Sequence, residues 1–185
     1  MTKQQLVKEL EKVSALRENR IRVSNLVLDS VNCIEHLVAI AFEVEEKVSI
    51  KAAWVLEFIV KKKVSFIFPF LDTFTQHIAK VHFGGAVRSM AKITQLLVEK
   101  DSKQDFLTKK QKETMVETSF DWMLSKHKVA IKAYSMRTLF LLGRDHDWVH
   151  KELQVIIKNN SHQESSAYKS RGRITLEQIK KYNHS

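Results

Sequence analysis

His146 and His150 stand four residues apart in RDHDWVHKE, with Asp145, Asp147 and Glu152 beside them. On a helix that spacing puts both imidazoles on one face, an arrangement able to hold a transition metal. A zinc centre needs at least a third convergent ligand and usually a supporting shell, and no HExxH or comparable motif accompanies the pair. The segment reads instead as a helix start, with Asp145 as cap, Asp147 complementing the dipole and the histidines solvated, so no metal is expected. His77 and His82 bracket HIAKVHFGG, and Cys33 offers a thiol, but neither comes with a strand-turn-helix elbow, an oxyanion loop or a recognisable base, so no catalytic residue is assigned. Gly84 and Gly85 follow no strand and precede no GK[ST], which makes them a helix-to-helix turn and not a phosphate cradle; no cofactor is expected.

Two further groups of residues suit recognition better than catalysis. Trp54, Trp122 and Trp148, two of them in DW pairs, have the chemistry to stack on bases, yet each has apolar neighbours and fits helix packing. The run YKSRGRITLEQIKKYNHS interleaves Lys169, Arg171, Arg173, Lys180 and Lys181 with Tyr168 and Tyr182. Such a mixture can grip a phosphate backbone; a charged terminal helix covering a stack of repeats has the same composition.

The chain has 185 residues, 44% of them hydrophobic, with four glycines and one proline, Pro69. That length fits one domain with a sizeable core, and the scarcity of turn residues favours helices over a β sandwich or barrel. A single cysteine excludes an internal disulfide and suggests a reducing, cytoplasmic setting. The opening MTKQQLVKELEKVSALRENRIR lacks the apolar core of a secretory signal. Net charge is +10 and uneven: residues 126–185 hold 12 basic against 5 acidic side chains, while residues 1–50 hold 7 against 8. A basic surface attracts acidic proteins, nucleic acid or anionic membrane, or serves solubility alone.

The most apolar stretch, IKAAWVLEFIVKKKVSFIFPF, is cut by Lys61, Lys62 and Lys63, and so is too charged to span a bilayer. Ala52, Leu56 and Ile59 form one helical stripe that ends at the lysines, where a helix C-terminus favours cations. A second helix begins near Pro69, with Phe66, Phe68, Phe70 and Phe74 filling the core. Comparable stripes run through Ala86, Met90, Ile93 and Leu97 and through Val129, Ala133, Met136 and Phe140. The periodicity predicts ten helices, at 3–14, 17–29, 31–44, 49–62, 67–81, 85–100, 109–125, 128–142, 146–159 and 165–182, joined by short polar breaks.

Three of these helices open alike, with IKA at Ile50–Ala52, VRS at Val87–Ser89 and IKA at Ile131–Ala133, at separations of 37 and 44 residues. Small residues follow at Ala53, Ala91 and Ser135, and the loop DSKQDFLT accounts for the longer interval. Periods near 40 residues built from helix pairs mark HEAT and armadillo repeats. Taken together, AAWVLEF, AVRSMAKI, LTKKQKE, DWM, VAIKAYSMRTLFLLG, DWVHKEL and SAYKSRGR resemble a family of small bacterial HEAT-like proteins over nearly the whole chain. Members of that family are often labelled adenylosuccinate lyase. The label implies a GSSxMPxKxNP loop with a catalytic serine, and this chain, with one proline, has no such loop.

The expectation is therefore a single HEAT-like domain over 1–185: an all-α αα superhelix of about four helix pairs, cytoplasmic and not an enzyme. Its function would be to bind an acidic protein surface through a basic concave face. Lys51, Arg88, Lys132 and Arg137 are the candidates on the repeated helices, with Lys169, Arg171 and Arg173 at the C-terminal end. The alternatives are a nucleic-acid binder, with the basic groove of HEAT-like DNA glycosylases as the architecture, and the lyase activity that the resemblance implies. No membrane association is expected.

Overall fold

The computed structural model describes residues 1–30 and 32–184, and every regular element among them is helical. The ten α-helices are α1 (Lys3–Glu11), α2 (Arg17–Leu28), α3 (Cys33–Ala41), α4 (Val48–Lys62), α5 (Leu71–His77), α6 (Gly84–Gln104), α7 (Lys109–Leu124), α8 (Val129–Leu142), α9 (Asp147–Asn160) and α10 (Ser166–Asn183). The packing divides into two compact units, residues 1–96 and 97–185, with the boundary inside α6. In the first, α3 and α2 pack on α4, and α1 packs on α3 and α4; in the second, α7 and α10 pack on α8, with α9 beside α8. No helix of the described residues is long and apolar enough to cross a membrane.

The helix starts follow local chemistry. Thr2 and Thr108 each accept from the backbone N–H three residues on, while Gln5 and Gln111 return the bond to the cap, satisfying two orphan donors at each end. Ala52, Leu56 and Ile59 are fully buried, as are Ala86, Met90, Ile93 and Leu97, so both stripes face a core. The small residues Ala53, Ala91 and Ser135 are also buried, at most 1% exposed. On α8 the core takes Ile131, Ser135, Met136, Leu139 and Phe140, while Val129 and Ala133 stay half-buried.

Most boundaries fall within two residues of the sequence expectation; the departures are at α1, which ends three residues early at Glu11, and at α3, α5 and α6. The helix expected over 67–81 is broken: a 3-10 stretch, Val64–Phe70, precedes α5 and a 3-10 turn, Ile78–Lys80, follows it. Pro69 lies inside the first of these, where its ring would clash with an α-helical carbonyl four residues back; the tighter turn avoids that clash. Ile67, Phe74 and Ile78 are fully buried in this region, and Phe66, Phe68 and Phe70 are half-buried. The third helix covers 33–41 of the expected 31–44, and residue 31 lies outside the described residues. α6 runs four residues past the expected 100, to Gln104. There Asp105 takes a left-handed φ of 46°, and the buried Asp101 carboxylate accepts from the N–H groups of Phe106 and Leu107, each at 2.7 Å.

Candidate macromolecule-binding faces

The outward face of α4 carries Lys51, Trp54, Phe58 and Lys61 at spacings of 3, 4 and 3. These side chains are neighbours on one side of a helix whose other side is core. Arg20 of α2 reaches over this face, its guanidinium carbon 4.8 Å from the Trp54 ring centre and 5.8 Å from that of Phe58. The Lys61 ammonium lies 5.9 Å from the Phe58 ring, so each aromatic face meets a cation. Trp54 Nε1 donates to the Gly85 carbonyl at 3.3 Å and ties α4 to the start of α6. Gly85 permits that approach: a Cβ there would stand 2.9 Å from Ile50 Cγ2 and 3.4 Å from Trp54 Nε1.

One carboxylate organises this face from below. Glu57 is 3% exposed and its Oε2 accepts from Ser89 Oγ at 2.8 Å and Arg88 Nη1 at 3.2 Å, while Lys61 stands 3.7 Å from Oε1. A buried charge persists only when paired and hydrogen-bonded, and Glu57 is both. Arg88 remains 40% exposed on its side chain, so it turns outward beyond the pair. Lys51 is half-buried and donates to the Glu11 carbonyl at the end of α1.

In the second unit the candidate cations fare differently. Lys132 is 6% exposed, ion-pairs with Glu164 and lies 5.8 Å from the Tyr168 ring centre. Burial pushes the Tyr168 phenol up to about 12, and the Glu164 carboxylate adds to the effect. His127 is lowered, by desolvation first and by the Lys132 charge second. Arg137 Nε donates to Glu99 Oε1 at 3.2 Å, with its guanidinium 5.6 Å from the Phe140 ring. Lys169, Arg171 and Arg173 are exposed on α10, and none of their side chains has a hydrogen bond or ion pair among the described residues.

The other chemistry-bearing residues resolve plainly. His150 is buried, against the solvated position expected: Nε2–H donates to the Phe140 carbonyl at 2.8 Å, and the ring stacks on Phe140. Gly143 makes room for it, since a Cβ there would come within 2.6 Å of His150 Nε2. His146, and not Asp145, is the N-cap of α9. No group of three or more His, Cys, Asp or Glu able to hold a metal occurs among the described residues. Cys33 is buried, and burial raises its thiol above the ordinary value, which leaves it a poor nucleophile. Trp122 is buried, Trp54 half-buried and Trp148 56% exposed.

Of the residues on this face, Lys51 and Arg88 are among those expected from the sequence, and Arg20, Phe58 and Lys61 are not. The 3, 4, 3 spacing of Lys51, Trp54, Phe58 and Lys61 was available as a signal, whereas nothing local announces that Arg20 lies over them. A family profile described as HEAT repeat domain matches residues 6–179. Neither a curated protein nor a solved structure matches the chain.

Proposed function

The chain belongs to the HEAT repeat domain family, and from that premise we propose that it is a non-enzymatic, single-domain scaffold that binds an acidic protein surface. The binding face is that of α4 with Arg20 and Arg88, and the exposed Lys169, Arg171 and Arg173 add positive charge on two sides of α10. One observation carries the reading: Arg20 and Lys61 lie over two half-buried aromatic rings, Lys51 and Arg88 extend that cationic face, and the Glu57 carboxylate that pairs with Arg88 and Lys61 is buried beneath. An acidic partner would gain charge complementarity at the rim and apolar contact at the rings. Lys132 supports a different role, since its charge is spent inside its own unit.

A second reading, single-stranded nucleic acid, is favoured by the same Trp54 and Phe58 faces, on which bases stack. Fluorescence anisotropy separates the two, with a labelled glutamate-rich peptide, single- and double-stranded DNA and RNA titrated at low and near-physiological salt. The expected result is peptide binding that persists at the higher salt and nucleic-acid binding that falls away steeply. Tighter nucleic-acid binding at the higher salt would replace the first reading by the second, and no binding of either would leave the charge a matter of solubility. Turnover of adenylosuccinate is expected to be undetectable, for want of the serine loop.

A further inference from the structure

Trp148 opens α9 with 56% of its surface in solvent, an unusual place for a side chain whose burial is worth so much. Its ring stacks on Phe120 of α7 with centres 5.9 Å apart, and Leu124, one turn beyond Phe120, is 63% exposed. Two turns along α9 on the same side, Val155 is 50% exposed, while Val149, Leu153 and Ile156 take the opposite side into the core. Trp148 and Val155 are thus exposed on the side of α9 away from its buried residues, with the exposed Lys151 and Glu152 between them. Beside it α7 exposes Glu113, Glu117 and Asp121 at intervals of four. Glu113 has a distant pair with Lys109 at 3.9 Å, and the side chains of Glu117 and Asp121 have no ion pair among the described residues. Lys109 and Lys110 stand one turn before Glu113 and Lys151 one turn after Trp148, so the unpaired acid beside the apolar patch is concentrated at Glu117 and Asp121, next to Phe120 and Leu124.

The same unit carries the complement. α10 packs inward through Tyr168, Gly172, Thr175 and Ile179 and turns Lys169, Arg173 and Lys180 outward on one arc, near the 39% exposed Ile174. None of those three cations has an ion pair among the described residues. At 1.5 Å per residue the three acids span about 12 Å and the three cations about 17 Å, so the rows can lie alongside each other.

We propose that the Phe120–Leu124–Trp148 face is a docking surface for a second copy of this chain, which seats its α10 there. Trp148 and Leu124 supply the apolar contact, and Glu117 and Asp121 meet Lys169 and Arg173 of the incoming helix. The two surfaces differ, so the contact is head-to-tail: a pair retains one unused face of each kind, and association runs on into short chains or closes into a ring. This inference uses second-unit residues alone and stands whether or not the first-unit face binds an acidic partner.

Light scattering coupled to size exclusion, over a concentration series at low and high salt, tests it. The wild type should rise above its 21.5 kDa monomer mass with concentration and fall back with salt. Glu117→Lys with Asp121→Lys should remain monomeric, as should Lys169→Glu with Arg173→Glu. Mixing these two variants should restore association, because each reversed face again meets its opposite. Trp148→Ser should weaken assembly without altering charge, and Lys51→Gln with Lys61→Gln should assemble like the wild type. All these positions are exposed or half-buried, so helical circular dichroism should be unchanged and failure to fold would be visible. A wild type that stays at monomer mass throughout, single variants that associate normally, or a mixture that fails to recover would each overturn the proposal.

Discussion

Arg88 and Lys132 occupy the same place in their helix-opening triplets, VRS and IKA, and end in opposite surroundings. In the first unit the acid is the buried partner: Glu57 is 4% exposed on its side chain and Arg88 40%. In the second the cation is buried: Lys132 is 8% exposed on its side chain and Glu164 22%. A repeat fixes where a residue sits on its helix, but the partner that decides whether its charge is displayed or spent comes from elsewhere. For Arg88 the partner stands on the neighbouring helix, and the guanidinium can serve both it and solvent. For Lys132 the partner stands in the turn before α10, and the ammonium serves to hold that turn.

The comparison is easiest to break in the second unit. Glu164→Ala leaves the Lys132 ammonium buried without its acid, and stability should fall by about 3 kcal/mol, read as a lower urea midpoint. Arg88→Ala should cost less, about 1–2 kcal/mol, because Ser89 and Lys61 still serve the Glu57 carboxylate. An equal or larger loss there would mean that the two pairs are structurally alike.

The buried phenol beside Lys132 adds a pH signature to the second unit. Tyr168 is raised to about 12 in the folded chain, against about 10 when unfolded, so the folded state holds its proton more tightly. Its contribution is complete below about pH 10 and is lost as pH rises from there toward 12. Tyr168→Phe should therefore show a shallower decline over that window than the wild type in thermal melts. Smallest in stability is Glu57→Gln, expected to cost about 1 kcal/mol, yet it removes the buried negative charge and should raise affinity for an acidic peptide. Unchanged or weaker binding would break the link between Glu57 and the display of Arg88.

Much of this architecture was legible in the residues. The stripe Ala86, Met90, Ile93 and Leu97 and the lysines closing α4 state their helices through spacing and charge alone. Pro69 has the sequence signature of a helix start yet lies inside a 3-10 stretch, because a run of aromatic residues gives no period that separates the two. The burial of His150 is not legible, since nothing in RDHDWVHKE reveals that Gly143 leaves a slot for its ring or that the Phe140 carbonyl waits there. The binding face was half legible. Lys51, Trp54, Phe58 and Lys61 follow from spacing within one helix, whereas Arg20 over Trp54 and Glu57 beneath Arg88 are tertiary contacts, 34 and 31 residues apart in sequence, with no local trace.

On the reading proposed here the α4 face, with its aromatic rings, receives an acidic partner. Its most direct test is the affinity of one labelled glutamate-rich peptide, near physiological salt, for three proteins: wild type, Lys51→Gln with Lys61→Gln, and Lys169→Glu with Arg171→Glu and Arg173→Glu. A loss of tenfold or more in the first variant and a smaller loss in the second is the predicted result. Equal affinity for wild type and the Lys51→Gln, Lys61→Gln protein, with binding abolished by the α10 changes, would contradict it and place the acidic partner on α10.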